Sequence, residues 1–396
     1  MAIIQLNTNI QKFTNIIHLA DVHIRLTKRH QEYREVFNKL FGSVKTTPET
    51  TAIFILGDIV NSKLDLSPEC VQSTKEFLVG LSNLRPTILV AGNHDLNLSN
   101  RNRLDSLSPI VEAINHPNLF YLKQSGLYGF GDICINNYSI FDSPENYIKG
   151  KDIPQIYRNQ YRHFICLFHG QVNGSITDLG FKLSNPTIPI SIFDEHEIVL
   201  LGDIHKNQTL QEYDYENNKP IIRYPGSLIS QNHSEVGSHG YSLWDLKSKT
   251  YKHIEIPNDF GFFSVEMKDG VVLTNLNDLP KKARIRFQLT NTDQTVVKKI
   301  LTEIRGMTEV VESSYQKMDK GVTLTRIPTA NGNAVLGDIN DKNYKVDLIK
   351  EYLKTKLKIT DQIFIDGIIK INDEMNDIIK KDDFARNIRW IPIKFE

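Results

Sequence analysis

The sequence predicts an α/β fold. Two observations carry that reading. Short, wholly apolar runs alternate with segments of helical periodicity through the first half of the chain, as in folds that bury strands between layers of helices. Several of these runs then stop abruptly on Asp, Asn or His, and open α/β sheets bind their ligands just beyond the carboxyl ends of strands.

Taken in order, "NIIHLADVH" reads as a strand followed by a loop. "RHQEYREVFNKLFGSV" places Tyr33, Val36, Phe37, Leu40 and Phe41 at helical spacing. "TAIFILGD" is a second buried strand, a helix is expected from about Glu69 to Leu84, and "PTILVAGNHD" is a third strand. "HFICLFHG" and "HEIVLLGDIH" follow as further strands, and from Tyr224 the pattern turns strand-rich, with "RYPGSL" and "GYSLWDL" as pieces. Near Phe260 the character changes. "FFSVEMKDG", "ARIRFQLTN", the helix "DQTVVKKILTEIRGM" and "TEVVESSYQKM" suggest a small β-β-α-β unit. A Gly/Asn-rich joint, "TANGNAVLGD", leads to a tail with two helical patterns between Tyr344 and Phe384 and an extended end, "IRWIPIKFE". The expected division is 1–260, 261–335 and 336–396.

The 396 residues leave room for two or three domains with proper cores. Lys+Arg and Asp+Glu are equal at 47 each, so no whole-chain positive field advertises nucleic acid and any DNA contact needs a local patch. "KKARIR" at 281–286 is such a patch, read equally as a solvated strand edge or as contact with a DNA backbone. Three cysteines without CxxC spacing argue against a disulfide framework or a structural zinc site. The N-terminus lacks a signal-peptide pattern, and no apolar run approaches membrane-span length. The expectation is an intracellular protein, of the cytoplasm and nucleoid or of the nucleus, and not secreted.

The candidate ligands sit at strand ends. They are Asp21 and His23; Asp58; Asn93, His94 and Asp95; His169; and Asp203 and His205. Gly57, Gly92 and Gly202 immediately precede three of these groups. Each element alone has an ordinary reading. A D-x-H arises by chance, a "GD" is commonly a turn or a helix N-cap, and one histidine is commonly a hydrogen-bonded structural residue. His18, inside its strand, is read that way. The conjunction and order point to a two-metal centre.

These motifs, with "YPGS" at Tyr224 to Ser227 and "HGYSLWDL" after it, resemble the calcineurin-like metallophosphoesterases. Within them the chain is most similar to the SbcD branch, the nuclease half of the SbcC–SbcD double-strand-break repair complex. The resemblance covers about residues 15–260 by motif and the remainder by layout. Protein phosphatases of the superfamily usually carry GDxVDRG and GNHE, whereas this chain has "GDIVNSK" and "GNHD".

The resemblance implies a layered αββα core, an α+β capping domain and a helical tail. It implies one metal held by Asp21, His23, Asp58 and His205, and another by Asp58, Asn93, His169 and Asp203, with Asp58 bridging. His94 would protonate the leaving oxygen or stabilise its charge, and Asp95 would orient it. Asp203 stands where the family usually has histidine. The resulting set of three carboxylates favours Mn²⁺ or Mg²⁺ over Zn²⁺. Asn61 stands where the family often has a histidine that assists exonucleolytic cleavage. The implied activity is metal-dependent exonuclease and endonuclease action on DNA ends and single strands in repair and recombination. A homodimer is implied, with an SbcC-type ATPase as partner. The stripe Val346, Ile349, Tyr352, Leu353 and Leu357 would dock on that ATPase, the ordinary alternative being packing on its own domain. The apolar Trp390, Ile391, Ile393 and Phe395 read equally as a strand pairing with the chain's own capping domain or as one resembling the opening strand of such an ATPase, so the partner is expected in trans or fused. The rival readings are a phosphatase or phosphodiesterase of small esters, and a DNA-binding scaffold without catalysis.

Overall fold

A computed structural model of the protein describes residues 2–317 apart from 63–64, 101–102, 185–187 and 236, together with a few positions further on. Of the two helices expected in the tail only 366–368 and 370 are described, as helix, and the expectations for the rest of those helices and for residues 390–395 lie outside the described residues. Residues 1–318 form one compact unit.

The elements run β1 Ile3–Gln5, β2 Asn15–Leu19, α1 His30–Lys45, β3 Thr51–Leu56, α2 Pro68–Ser82, β4 Thr87–Val90, α3 Ser108–Ile114 and β5 Leu119–Tyr121. Then come β6 Gly126–Phe130, β7 Ile133–Tyr138, α4 Gln155–Gln160, β8 His163–His169, β9 Ile198–Gly202, β10 Gln208–Gln211, β11 Ile221–Tyr224, β12 Gly240–Asp245 and β13 Thr250–Glu255. The last part holds β14 Phe260–Lys268, β15 Val271–Val272, β16 Lys282–Thr290, α5 Gln294–Met307 and β17 Glu309–Lys317.

Two mixed sheets pack face to face. One has seven strands in the order β1-β6-β7-β8-β9-β11-β10, the other six in the order β13-β12-β2-β3-β4-β5. Strand alternation sorts the side chains. Ile16, Phe54, Leu56, Ile88 and Val90 of the six-stranded sheet point inward onto Phe130, Ile135, Ile165, Leu167, Ile198 and Leu200 of the other. Their neighbours Ile17, Leu19, Ile53, Ile55 and Leu89 point outward onto Tyr33, Val36, Phe37 and Leu40 of α1 and Phe77, Leu78 and Leu81 of α2. Both faces of β3 are thus apolar, which is why it reads as an unbroken hydrophobic run. The outer face of the seven-stranded sheet buries Tyr138, Cys166, Phe168, Val199 and Leu201 against Tyr147 and Phe193. The layered αββα arrangement expected from the sequence is present.

Helix α2 begins where its sequence says it should. Ser67 accepts a hydrogen bond from the Cys70 amide at 3.1 Å, and Pro68 occupies the first turn. The hairpin β6–β7 was not anticipated from the pattern. It carries Asn136 and Asn137, polar yet buried. Their amides donate to the Ile148 carbonyl at 2.7 Å and to the Leu122 and Gln124 carbonyls at 3.1 and 2.9 Å. Cys70, Cys134 and Cys166 are all buried free thiols. No helix among the described residues is long and apolar enough to cross a membrane.

Residues 260–317 form a separate four-stranded sheet, β15-β14-β16-β17, with α5 against it and its own small core around Val265, Ile285, Phe287, Val297 and Ile304. From Lys282 on, the basic run lies on β16, which pairs with strands on both sides. It is therefore not a sheet edge. Its charges are largely used internally. Lys281 meets Asp259 at 3.1 Å, Lys282 meets Glu35 at 2.9 Å and Arg284 meets Glu32 at 2.7 Å. Glu32 is 1% exposed and also takes Arg29 at 2.8 Å, so one buried carboxylate on α1 joins two guanidiniums. Phe262 lies beneath both of those guanidiniums, 5.3 Å from that of Arg29 and 5.4 Å from that of Arg284.

Removing Glu32 leaves two guanidiniums without their shared counterion at a nearly dry contact. Glu32→Ala is expected to lower unfolding free energy by about 3–5 kcal/mol in denaturant titration. Lys28→Ala, which breaks an exposed 4.0 Å pair with Glu312, is expected to change it by about 1 kcal/mol or less. Equal effects would show that the Glu32 cluster does not hold the small sheet in place.

Candidate metal centre

The candidate ligands converge where the carboxyl ends of β2, β3, β4, β8 and β9 meet. The loops after β2 and β3 stay stitched together beyond the strands. The Asp21 amide donates to the Gly57 carbonyl at 3.1 Å, His23 to Asp58 at 2.9 Å and Ile24 to Ile59 at 2.8 Å. To aim their side chains at one point, Asp21, His23, Asp58 and Asp203 all take positive φ, at 53°, 51°, 54° and 100°. Such backbone costs non-glycine residues roughly 1–2 kcal/mol each. Close approach also demands glycine. A Cβ on Gly57, itself at φ 80°, would lie 2.5 Å from the Gly92 amide and 2.5 Å from His169 Nδ1, and one on Gly92 would collide with the Asp58 carboxylate.

The side chains form two overlapping groups around Asp58. Its Oδ2 lies 3.6 Å from His23 Nε2, while its Oδ1 lies 3.4 Å from His169 Nε2. On the first side, His23 Nε2 is 2.9 Å from His205 Nε2 and 4.0 Å from Asp21 Oδ1. On the other, His169 Nε2 is 3.0 Å from Asn93 Oδ1 and 3.8 Å from Asp203 Oδ1. Sets drawn from Asp21, His23, Asp58, His94, His169 and His205 bring one donor atom each within 4.8 Å of one another.

Two imidazoles are preset as donors to this space. His169 Nδ1–H donates to the Leu56 carbonyl at 2.6 Å, and His205 Nδ1–H donates to the Glu235 carboxylate at 2.8 Å. Each leaves Nε2 as the inward atom, the arrangement typical of metal-ligating histidine. At 2.9 Å the Nε2 atoms of His23 and His205 share one hydrogen bond, and both turn into the same space as the buried carboxylates. The oxygen and nitrogen donors present therefore fit two divalent cations.

The electrostatics say the same. Burial pushes Asp21 up to about 7, with nearby His205 and His169 opposing. Burial also raises Asp203. For His169, burial favours the neutral ring, but Asp58, Asp21 and Asp203 outweigh it and hold the ring at about 9. His205 is likewise held at about 9, against burial, by Glu235 and Asp21. Protons thus compensate the carboxylates wherever cations do not.

His94 and Asp95 depart from their expected partnership. Asp95 is fully buried, and its carboxylate accepts backbone amides from Ile59 and Val60, both at 3.0 Å, and from Gly92 at 2.8 Å. It pins the loops and does not hold the His94 ring, because its acceptor positions point into the backbone. His94 Nδ1–H donates instead to the Asn61 main-chain carbonyl at 2.8 Å, while the His94 amide donates to Asp58 Oδ1 at 2.8 Å. Asn61 thus orients His94 through its backbone. His18 is fully buried with Nε2 2.9 Å from the Leu201 carbonyl, away from the ligand set. Glu235 was not legible in advance, since it lies in a loop 30 positions from its partner and no motif marks it.

At neutral pH, His169 and His205 carry protons in the cation-free centre, and coordination requires their Nε2 lone pairs. Cation binding should therefore release protons, and affinity should rise as pH increases from about 6 towards 9. Titrating Mn²⁺ calorimetrically in buffers of different ionisation enthalpy checks this. A buffer-independent enthalpy would mean the rings are neutral beforehand.

Comparison with known proteins agrees with this geometry. Residues 14–207 match the family model for the calcineurin-like phosphoesterases. The chain is also similar to an uncharacterised protein, R555, of Acanthamoeba polyphaga mimivirus, at 37% identity over 313 residues. That alignment covers 76% of this chain and 22% of the relative, so the chain spans about a fifth of the length of the relative it matches. The strand-end ligands all fall within the matched segment, so residues 14–207 are similar to a calcineurin-like phosphoesterase domain in the part of the chain that builds the centre.

Proposed function

We propose that this protein is a DNA nuclease of SbcD type. It would cleave phosphodiester bonds as exonuclease and endonuclease in double-strand-break repair and recombination, together with an SbcC-type ATPase. The observation that carries this reading is the separate four-stranded sheet clamped to α1 through Glu32, Arg29 and Arg284. A phosphomonoester or another small ester needs no such addition, whereas a polymer benefits from a second body beside the centre. DNA, a second copy of this chain and the ATPase, in trans or fused, are the partners in this proposal. The greater length of the mimiviral relative accommodates the fused form. The setting would be intracellular.

Asp21, His23, Asp58 and His205 would hold one cation, and Asp58, Asn93, His169 and Asp203 the other. Four of these ligands are hard oxygen donors, which favours Mn²⁺, with Mg²⁺ as the alternative. Bound there, two divalent cations would lower the pKa of a water and neutralise charge developing on the phosphate. The remaining work falls to the chain. Asp58 is the shared ligand, one oxygen towards each side. The Asn61 carbonyl fixes His94 through Nδ1, leaving Nε2 to carry a proton to the departing sugar oxygen. Asp95 keeps the loops of His94 and Asp58 in register.

Purified protein with Mn²⁺ is expected to degrade linear duplex DNA, and to act faster with an SbcC-type ATPase present. Turnover of a generic chromogenic phosphodiester without DNA cleavage would favour a small-ester enzyme. DNA binding without either activity would favour a scaffold. Asp58→Asn should abolish cleavage and weaken both cations. His94→Ser should retain cations and DNA while slowing turnover about 10²–10⁴-fold. Loss of cation along with activity would make His94 a ligand. Asp203→His should keep a folded centre and measurable activity, and Asp203→Ala should deplete one cation. Full occupancy and activity in the alanine variant would leave Asp203 as a turn residue.

A further inference from the structure

The loop from Ser227 to Glu235 touches both the metal centre and the small sheet. On the centre's side, Glu235 is 6% exposed and takes His205 Nδ1–H at 2.8 Å. Its remaining acceptor positions are occupied by the same loop. Gln231 donates its amide at 2.7 Å, Asn232 its side-chain amide at 2.7 Å and Ser227 its hydroxyl at 3.3 Å. A carboxylate held by that many donors cannot swing, so the loop's position dictates where the His205 ring stands.

On its other side the loop rests on α1 and β14. Arg29, already bound to Glu32, donates to the Ser230 carbonyl at 2.6 Å. His233 packs edge-on against Phe262 of β14, with ring centroids 4.9 Å apart, and its Nδ1 lies 3.3 Å from Ser264 Oγ. Gln231 Nε2 reaches back to the Val22 carbonyl at 3.3 Å, between the ligands Asp21 and His23. The contacts run without a gap from β14 through His233 and the loop to Glu235, then to His205.

We propose that Glu235 is a positioning residue of the centre, through which the seating of the β14–β17 sheet governs how firmly His205 is held. A carboxylate on the far nitrogen of a ligating imidazole fixes its tautomer and its angle, and loss of such a partner typically costs 10–100-fold in metal affinity. The inference rests on the two-cation reading of the centre. In a polymer-cleaving enzyme it would let contact of a long substrate or a partner with the small sheet reach one ligand directly.

Mn²⁺ alone is the probe, with free ion counted by electron paramagnetic resonance and binding by calorimetry on the full chain. Glu235→Gln is expected to weaken one of the two ions about tenfold and to spare the other, and Glu235→Ala to weaken it more, up to about 100-fold. His233→Ala should weaken that same ion about threefold, and should add nothing in the Glu235→Ala background, because the coupling runs through the missing carboxylate. Thermal melts establish that each variant is folded. Should Glu235→Ala fail to fold, Glu235→Gln decides the positioning role, and Glu235→Gln combined with His233→Ala decides the coupling. Wild-type affinity for both ions in a folded Glu235→Gln protein would overturn the proposal. So would a His233→Ala effect that persists undiminished without Glu235. Asp58→Asn serves as reference. If it too binds both ions normally, the reading of the centre itself fails, independently of Glu235.

Discussion

Burying carboxylates at the ends of apolar strands is the constraint around which this molecule is organised. Asp21, Asp58 and Asp95 are each 2% exposed or less, and an uncompensated charge at such depth is untenable. Asp95 accepts three backbone amides, which offset only part of the burial that pushes its carboxyl up to about 8. Asp21 receives the Asp203 amide and Asp58 the His94 amide, which leaves lone pairs turned inward. Imidazoles share that space, and the residual negative charge gives cations their place. None of this works unless two sheets bring their strand ends together, so inter-sheet packing of residues such as Phe54, Leu56, Leu167 and Leu200 is a precondition of the chemistry.

The backbone bears part of the cost. The ligands Asp21, His23, Asp58 and Asp203 sit in a region of φ that side chains disfavour, and glycine at 57 and 92 removes the Cβ atoms that would separate the loops. Substituting glycine at the ligand positions would relieve the strain and lose the ligand. Local conformational preference and function pull in opposite directions there, as is common at sites that a rigid scaffold over-determines.

The parts legible in sequence were those where a single residue type has one physical use. Strand β3 is apolar on both faces because both are buried, and its end on Gly57 and Asp58 stands out against that run. The same contrast exposes His169 and Asp203. What escaped notice depended on partners distant in the chain. Asn136 and Asn137 are buried through carbonyls of Ile148, Leu122 and Gln124, which lie outside their own strand. Arg284 reads equally as a solvated edge or a phosphate contact until Glu32 is placed beside it. The His94–Asn61 contact uses a main-chain carbonyl, which carries no side-chain signature. The resemblance made Asp95 the partner of His94, yet the Asp95 carboxylate accepts backbone amides instead.

The three buried thiols have a practical corollary. Burial drives Cys70 up to about 11 and Cys134 up to about 12, and lifts Cys166 well above the ordinary thiol range. At neutral pH they are protonated and shielded, so they are slow to meet alkylating reagents, peroxide or soft heavy-metal ions. The native chain is thus an almost silent background for covalent chemistry. One cysteine introduced on the exposed rim of α5 would accept a fluorophore or spin label at a single address, with no native cysteine to remove first.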